Sequence, residues 1–374
     1  MASVNILKYE INASQGNLSQ TLKAIKNGKI EQSLKRIQAS LEEVEIPYYS
    51  LKQAVLQDQQ SIYEALKNLL LKILPAIEAT KRPSTALIIG TSLVDWHLVD
   101  AIDATVYEDE KQPYVSHKQS IDSYAKVLAD EFGLSSFTMT INTACTSSAN
   151  ALLEASNMIN AGMFEYAVVL GIEIFSPIMS SGFYAMDLIA RRMPMPFDLD
   201  RDGLVLGEAI AGIVLGKSDA VWSLEGGFSN CHSQTITSVS QSGDECVEVM
   251  QKALQSSGVK ADEVTALKAH ATGSYSNDLA EINAIGKVFE PSVKFTALKP
   301  YIGHTIGASG VLEIALLMAA VDDGFLPKTL FCEHSISSDY APLTEHVKCQ
   351  EGLFMCNYFG FGGNNISLII KKEL

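Results

Sequence analysis

Two stretches of this chain are variations on one plan, and an internal repeat of that kind limits the possible folds more than any other feature of the sequence. In the first, FTMTIN (137–142) alternates as a strand does, TACTSSANALLEASNMINAG (143–162) has the pattern of a helix closed by Gly162, and EYAVVLGIE (165–173) reads as a second buried strand. In the second, VKFTA (293–297) is strand-like and, after KPYIGHTIG, ASGVLEIALLMAAVDDG (308–324) reads as a helix closed by Gly324. Each copy runs strand, polar turn, small-residue helix. Strands separated by helices of this length predict right-handed crossovers and mainly parallel sheets covered on both faces, an α/β architecture. The helix starts, with Ala144, Thr146, Ser147, Ser148 and Ala149 in one copy and Gly307, Ala308, Ser309 and Gly310 in the other, carry so little side-chain bulk that such helices can be buried against another backbone.

Composition narrows the setting. The 374 residues are 47% apolar and 19% charged, which is ordinary globular usage and excludes a disordered or collagen-like chain. With 28 Lys and Arg against 43 Asp and Glu, the net charge of −15 repels a phosphate backbone, so no nucleic-acid partner is expected. The N-terminal MASVNILKYEINASQ does not read as a secretory signal, and no apolar run approaches the roughly 20 residues needed to span a bilayer. The expected location is cytoplasmic. Six cysteines without C-x-x-C pairing or a paired Cys/His spacing predict reduced thiols, no disulfide framework and no zinc site. Residues 16–80 read as helices and their connections, with a basic cluster at Lys23, Lys26, Lys29, Lys35 and Arg36 that suits either a solvated face or a docking patch. TALIIG (85–90) reads as a buried strand, and 101–120 as a polar loop or interface excursion.

The residues that could carry chemistry sit in the turns of the repeat. Cys145 lies where a strand gives way to a helix, and a thiol at a helix N-terminus faces unsatisfied N–H groups that favour thiolate. The same local pattern also suits a buried structural cysteine, since cysteine commonly packs as a small hydrophobe. Its company gives the nucleophilic reading weight. KAHATGSYSND (268–278) holds His270 among small residues, ahead of Asn277, Asp278 and Glu281. ALKPYIGHTIGASGVLE (297–313) places Lys299 five positions before His304 and Glu313 nine after it, and NYFGFGGNN (357–365) is a glycine-rich turn leading into the strand ISLII.

Taken in order, TACTSS, PFDLDRDGLVLGEA (196–209), HATGS, KPYIGHTIGASG and NYFGFGGNN resemble the β-ketoacyl-acyl carrier protein synthases, the condensing enzymes of thiolase type, over about residues 80–374. That resemblance implies a thiolase-like five-layer α-β-α-β-α sandwich of two duplicated halves, residues 1–218 with the nucleophile and 219–374 with two histidines. It implies decarboxylative condensation of an acyl thioester with malonyl-acyl carrier protein, in fatty acid or polyene and polyketide biosynthesis. Carried over, Cys145 is the acyl-accepting nucleophile, His270 and His304 the active-site histidines, and Lys299 the lysine that positions the site, with Glu313 binding that lysine's network. Phe361 is the gating phenylalanine whose backbone N–H forms an oxyanion hole with that of Cys145. Gly362 and Gly363 complete that turn, and Asp278 is a supporting residue. Arg201, Asp202, Gly203 and Glu208 read as loop and helix supports. No metal or redox cofactor is implied, the substrates being carried on phosphopantetheine.

The match departs from the family in three places: HATGS stands for the commoner HGTGT or HGTST, GGNN for GGTN and GEA for GEG. The compact length and the N-D-x-x-E run look most like the synthases of aryl polyene pathways, which work with a chain-length factor. A homodimer or such a heterodimer is therefore expected, together with an acidic carrier protein that docks on Arg191, Arg192 and Lys52. Two other readings are a non-catalytic chain-length-factor-like subunit, whose usual signature is loss of the cysteine kept here, and a coenzyme A-dependent thiolase, which would need a glycine where Tyr358 follows the Cys356 turn.

Overall fold

Among the described residues ten strands run in order across one continuous sheet, with the two-residue strand Gly16–Asn17 pairing beside its central strand, and the two halves have the same order. The computed structural model describes residues 2–39, 42–52, 59–93, 121–232 and 240–373. In the first half the strands are β1 (Val4–Ala13), β4 (Thr85–Gly90), β5 (Thr138–Ile141), β6 (Tyr166–Glu173) and β7 (Ala209–Gly216); β2 (Ser33–Ala39) and β3 (Glu42–Tyr49) lie outside this sheet. In the second they are β8 (Trp222–Cys231), β9 (Val264–Lys268), β10 (Phe295–Thr296), β11 (Gly352–Phe359) and β12 (Asn364–Lys372). The orders are β5-β4-β6-β7-β1 and β10-β9-β11-β12-β8, and the halves join where Val4, Asn5 and Ile6 pair with Leu224, Ser223 and Trp222. The strand directions repeat too. In each half the first three strands are parallel and the last two antiparallel. The sheets are therefore mixed rather than mainly parallel, because in each half one strand, β7 or β12, runs against the other four and makes both of its pairings antiparallel.

The helices supply three layers. Between the half-sheets lie α4 (Ser147–Asn160) and α8 (Ser309–Asp322), the two helices of the sequence repeat. In α8 every residue from Ser309 to Val321 is buried, as a helix apolar all round must be. One apolar cluster joins both helices to the inner faces of both half-sheets, through residues such as Val169 and Ile213 on one side and Tyr358 and Leu368 on the other. On the outer face of the first half, α2 (Gln59–Ile73) and α3 (Ile121–Phe132) pack their apolar stripes on Leu87, Ile89, Val168 and Leu170. On the outer face of the second, α6 (Asp244–Ser257) and α7 (Tyr275–Val288) cover Leu267, Met355 and Ile369. The result is the five-layer α-β-α-β-α sandwich. Its two central helices cross so closely that a Cβ on Gly310 would sit 2.2 Å from the backbone nitrogen of Ala149, and the end of β4 approaches the first of them as closely, a Cβ on Gly90 sitting 2.3 Å from Cα of Ser148. That contact is what the small residues of both helix starts make possible.

The first eighty residues depart from the helical expectation. They contain α1 (Leu18–Asn27), capped by a reciprocal Asn17–Gln20 box, and α2, but between them β2 and β3 form a hairpin with Ser33 opposite Tyr48 and Ile37 opposite Val44. LKRIQAS and LEEVEIP carry apolar residues at spacings that suit either period. The strand state wins because Ile37, Ile46 and Tyr48 are buried on one side of the ribbon, while Arg36 and Glu45 pair across it at 3.0 Å. Residues 101–120, read as an excursion, lie outside the described residues.

Candidate active site

Cys145 is in a single 3-10 turn, Ala144–Thr146, between β5 and α4. The entry is sharp: Ala144 has φ +54°, and the side chains of Asn142, Thr146 and Ser147 bond to neighbouring backbone groups to hold it. A left-handed alanine costs roughly 1 kcal/mol or more, which the surrounding hydrogen bonds sustain. The same geometry recurs in the second half, where Ile306 with φ +34° opens the 3-10 turn Ile306–Ala308 ahead of α8. The position equivalent to Cys145 there is Gly307, where a Cβ would meet the backbone nitrogen of Ser92 at 2.3 Å. Only one half has room for a nucleophile.

His304 reaches the sulfur from the second half. Its Nε2 is 3.1 Å from Cys145 Sγ, and its Nδ1 is 3.4 Å from Ser309 Oγ. A hydroxyl can donate or accept, so Ser309 supports either tautomer of the ring. The ring of His270 stands edge-on to that of His304, with centroids 5.4 Å apart. Cys145 is 3% exposed and both histidines 1%, so the three side chains share one dry site at the junction of the halves. Both ring nitrogens of His270 are buried without a hydrogen-bond partner among the described residues, an arrangement that suits a donor aimed at substrate.

The PFDLDRDGLVLGEA segment places both histidine turns. Its strand-like run Leu206–Gly207 holds His304 by the backbone: His304 N–H donates to Val205 O at 2.7 Å, and Gly207 N–H donates to His304 O at 3.0 Å. Farther back, Gly203 N–H donates to Gly273 O at 3.2 Å, and Asp278 accepts from Phe197 N–H at 2.7 Å and Gly273 N–H at 3.1 Å. Asp278 thus ties the segment to the His270 turn and does not reach the thiol. Arg201 donates to the carbonyls of Asp198 and Tyr275, and Glu208 accepts from Leu51 and Phe175 N–H groups. In the HATGS turn Ala271 takes φ +52°, a conformation glycine adopts without strain. Glu281 holds it there by accepting from the N–H groups of His270 at 2.7 Å and Ala271 at 2.8 Å.

The glycine-rich turn closes the site from β11. Phe361, Gly362 and Gly363 form its 3-10 turn, with Gly362 at φ +77° and Gly363 at φ +76°. The backbone N–H groups of Phe361 and of Cys145 itself both act to favour the anion of the Cys145 thiol. Gly360 lies against Cys145, where a Cβ would be 3.5 Å from that of the cysteine. Phe361 stacks on Phe183 of α5 (Pro177–Ala185) at 5.8 Å and packs with Leu204, Leu206 and Ile306 around Cys145. Tyr48 of β3 joins this apolar cluster, with its ring edge-on to Phe175.

Lys299 does not touch Cys145. Its ammonium is 2.6 Å from Glu313 Oε1, and the other carboxylate oxygen, Oε2, accepts from Lys268 at 2.7 Å. Lys268 and Glu173 are site residues that motif reasoning missed. Glu173 ends β6, fully buried, where its Oε2 accepts from Ser92 Oγ at 2.6 Å and from Gly307 N–H at 2.8 Å. The signal for each was a charged residue ending an apolar strand, TALK and VVLGIE.

The electrostatics correct the expectation of a resting thiolate. Burial pushes the Cys145 thiol up to about 12, outweighing the Lys299 charge and the Phe361 N–H that pull it down, and nearby Glu173 pushes the same way as burial. Cys145 precedes α4 by a turn inside the molecule, and the loss of water costs the anion more than the backbone dipoles return. Burial holds both imidazoles well below the usual histidine range, with the Lys299 and Lys268 charges acting in the same direction. The resting pair is neutral thiol and neutral imidazole. Burial likewise raises Glu173 to about 7.

Of the carrier-docking candidates, Arg191 is 91% exposed with Asp202 at 3.9 Å, Arg192 is exposed, and Lys52 is engaged by Glu31 at 2.8 Å. No described helix is long and apolar enough to cross a membrane.

Comparison with known proteins agrees with this geometry. The N-terminal domain model of the β-ketoacyl synthases matches residues 52–221 and the C-terminal domain model residues 223–333. The chain is 32% identical over 260 residues to chloroplastic 3-oxoacyl-(acyl-carrier-protein) synthase I of Arabidopsis thaliana, a match covering 64% of this chain and 54% of that protein. It is 30% identical over 263 residues to 3-oxoacyl-(acyl-carrier-protein) synthase 2 of Vibrio cholerae, covering 64% and 63%. These matches span less than two thirds of either relative. A solved ketosynthase in complex with its chain length factor, from Xenorhabdus doucetiae, superposes with a TM-score of 0.86 at 22% identity, over 100% of this chain and 98% of that one. A β-ketoacyl synthase from Burkholderia phymatum also superposes at 0.86, with 21% identity and full coverage of both chains. With its two domain models matched end to end and the thiolase-like sandwich in place, this chain belongs to the β-ketoacyl synthase family.

Proposed function

We propose that this chain is a β-ketoacyl-acyl carrier protein synthase, an acyltransferase that joins an acyl group held on Cys145 to a malonyl-derived two-carbon unit. The observation that carries this reading is the 3.1 Å contact between Cys145 Sγ and His304 Nε2 in a dry site that His270 shares. In the first half-reaction the thiol adds to the carbonyl of a carrier thioester and its proton passes to His304. The oxyanion forms between the N–H groups of Cys145 and Phe361. Collapse breaks the carrier C–S bond, and the departing pantetheine sulfur takes the proton back. Losing one donor of such a hole typically costs about 2.7–4 kcal/mol of transition-state stabilisation. In the second half-reaction the malonyl C–C bond breaks, CO2 leaves, and the electron pair forms an enolate whose oxygen takes hydrogen bonds from His270 and His304. A neutral imidazole fills that role in the tautomer with its proton on the nitrogen facing the substrate; His304 accepts at Nε2 in the first half-reaction and donates there in the second, a tautomer change that Ser309 Oγ at its Nδ1 allows. The enolate carbon attacks the acyl carbonyl, the Cys145 C–S bond breaks, and the released thiolate takes up one proton from solvent, the proton that the decarboxylative condensation consumes overall.

The partner is an acidic acyl carrier protein that meets this acidic chain at the exposed Arg191 and Arg192, where screening beyond roughly 8–10 Å lets a local positive patch decide the encounter. The edge strand β5, half-exposed along its whole length, suits pairing across a dimer interface with a second copy or a chain-length-factor-like subunit. Within the family we place the chain with the aryl polyene type, on its compact length and its N-D-x-x-E run. All six cysteines are free, which fits a reducing, cytoplasmic compartment, and the substrates ride on phosphopantetheine with no metal or redox cofactor assigned to the chemistry. The test is to supply acyl- and malonyl-loaded carrier protein to the purified protein, alone and with its co-purifying subunit. A product two carbons longer with release of one CO2 is expected; absence of both from every combination contradicts the reading.

A further inference from the structure

Lys268 closes β9 two residues before His270, with none of its side chain exposed. Its ammonium is 2.7 Å from Glu313 Oε2, 2.7 Å from the carbonyl of Asn357 and 3.5 Å from the centre of the Tyr358 ring. Glu313 is already engaged through its other oxygen by Lys299 at 2.6 Å. Among the described residues neither lysine pairs with a second carboxylate, and no side chain of the three is more than 1% exposed. Two ammonium groups therefore share one carboxylate in a site closed to water. Dehydrating an ion costs several kcal/mol, and a neutral side chain at position 268 would avoid that penalty without leaving Glu313 unpaired.

We propose that Lys268 is a positioning residue of the condensing site, whose ammonium supplies the unbalanced positive charge against which the negative charge of the enolate and oxyanion develops. This rests on the condensing function proposed above. The groups that face Lys268 are Glu313 from α8, Lys299 from the turn Lys299–Ile302, Cys356 and Tyr358 from β11, Glu281 from α7, and the two histidines. Of these the one carboxylate in contact, Glu313, is shared, and Glu281 is occupied by the N–H groups of His270 and Ala271. Burial pulls the Lys268 ammonium below the usual lysine range, against the Glu313 carboxylate beside it, which favours the charged form. The Lys268 charge adds to burial and to the Lys299 charge in disfavouring an imidazolium at either His270 or His304.

The test compares Lys268→Gln and Lys268→Met, which remove the charge with different shapes, and Lys268→Arg, which keeps it. Two readouts are taken on the full chain: steady-state condensation, and the pH dependence of iodoacetamide alkylation at Cys145, which needs no substrate. In the Gln and Met variants kcat is expected to fall roughly tenfold or more with KM little changed, as for a charge acting at close range in a dry site. The acid midpoint of alkylation should rise by about one pH unit, because loss of the nearby cation makes His304 easier to protonate. Lys268→Arg should keep the wild-type midpoint. Folded Gln and Met variants with unchanged kcat and midpoint overturn the proposal, as does a lowered melting temperature with no movement of the midpoint. If the wild type neither loads nor condenses, the functional reading fails, and the alkylation midpoints still report whether Lys268 sets the charge on the Cys145–His304 pair.

Discussion

Cys145→Ala is expected to abolish condensation, by on the order of a thousandfold or more, while leaving malonyl decarboxylation intact. The two half-reactions use different groups. Acyl transfer needs the sulfur as its bond-forming atom, and no other thiol can take over: Cys246, Cys332 and Cys356 are buried in other clusters of the core, Cys349 packs against one of those clusters, and Cys231 is exposed beyond the glycine-rich turn. Decarboxylation needs only donors to the thioester oxygen, which His270 and His304 provide without the thiol. The fold should survive, since alanine removes one buried atom from a cluster of Tyr48, Phe183, Leu204, Leu206 and Ile306 and adds nothing to it. Measuring ketoacyl product and released CO2 separately checks both halves of this expectation; equal loss of the two would mean that the cysteine also serves the malonyl step.

The second large effect is expected at Glu313. Glu313→Leu leaves Lys268 and Lys299 buried with no counter-charge, and breaking a buried ion pair in this way typically costs about 3–5 kcal/mol. The folded variant would have to hold at least one lysine neutral. Its unfolded chain would then bind more protons than the folded one, so stability should rise as the pH is raised through the alkaline range. Glu313→Gln keeps an acceptor and the side-chain shape, and should fall between wild type and leucine. Melting temperatures of the three proteins from neutral to alkaline pH check the sign: a leucine variant as stable as wild type at pH 7 would show that the lysines are not held charged by this carboxylate.

Much of this architecture was legible because the repeat is written twice. Helix starts made of Ser, Ala and Gly already say that two backbones approach, and Gly310 against Ala149 is that approach. Cys145, His270, His304, Lys299 and Glu313 could be named because each sits in a short motif, and folding brings those motifs to one junction. Other features were hidden for physical reasons. The β2–β3 hairpin carries charged residues on its open side and apolar ones at spacings that fit a helix, so only its burial against the Cys145 cluster decides the period. Lys268 and Glu173 are charges at strand ends, a position that by itself does not mark a residue as buried. What buries them is contact from segments distant in sequence, Glu313 for one and Ser92 with Gly307 for the other. The state of the thiol was misjudged from local geometry alone, because a helix start favours an anion only where burial does not cost it more.

The mass of the peptide carrying Cys145, taken after the purified protein has been incubated with an acyl-loaded carrier protein, tests the central claim most directly. A gain equal to one acyl group on that peptide, reversed by adding malonyl-carrier protein, is the predicted result. An unmodified Cys145, or an acyl group found on another residue, would contradict the account.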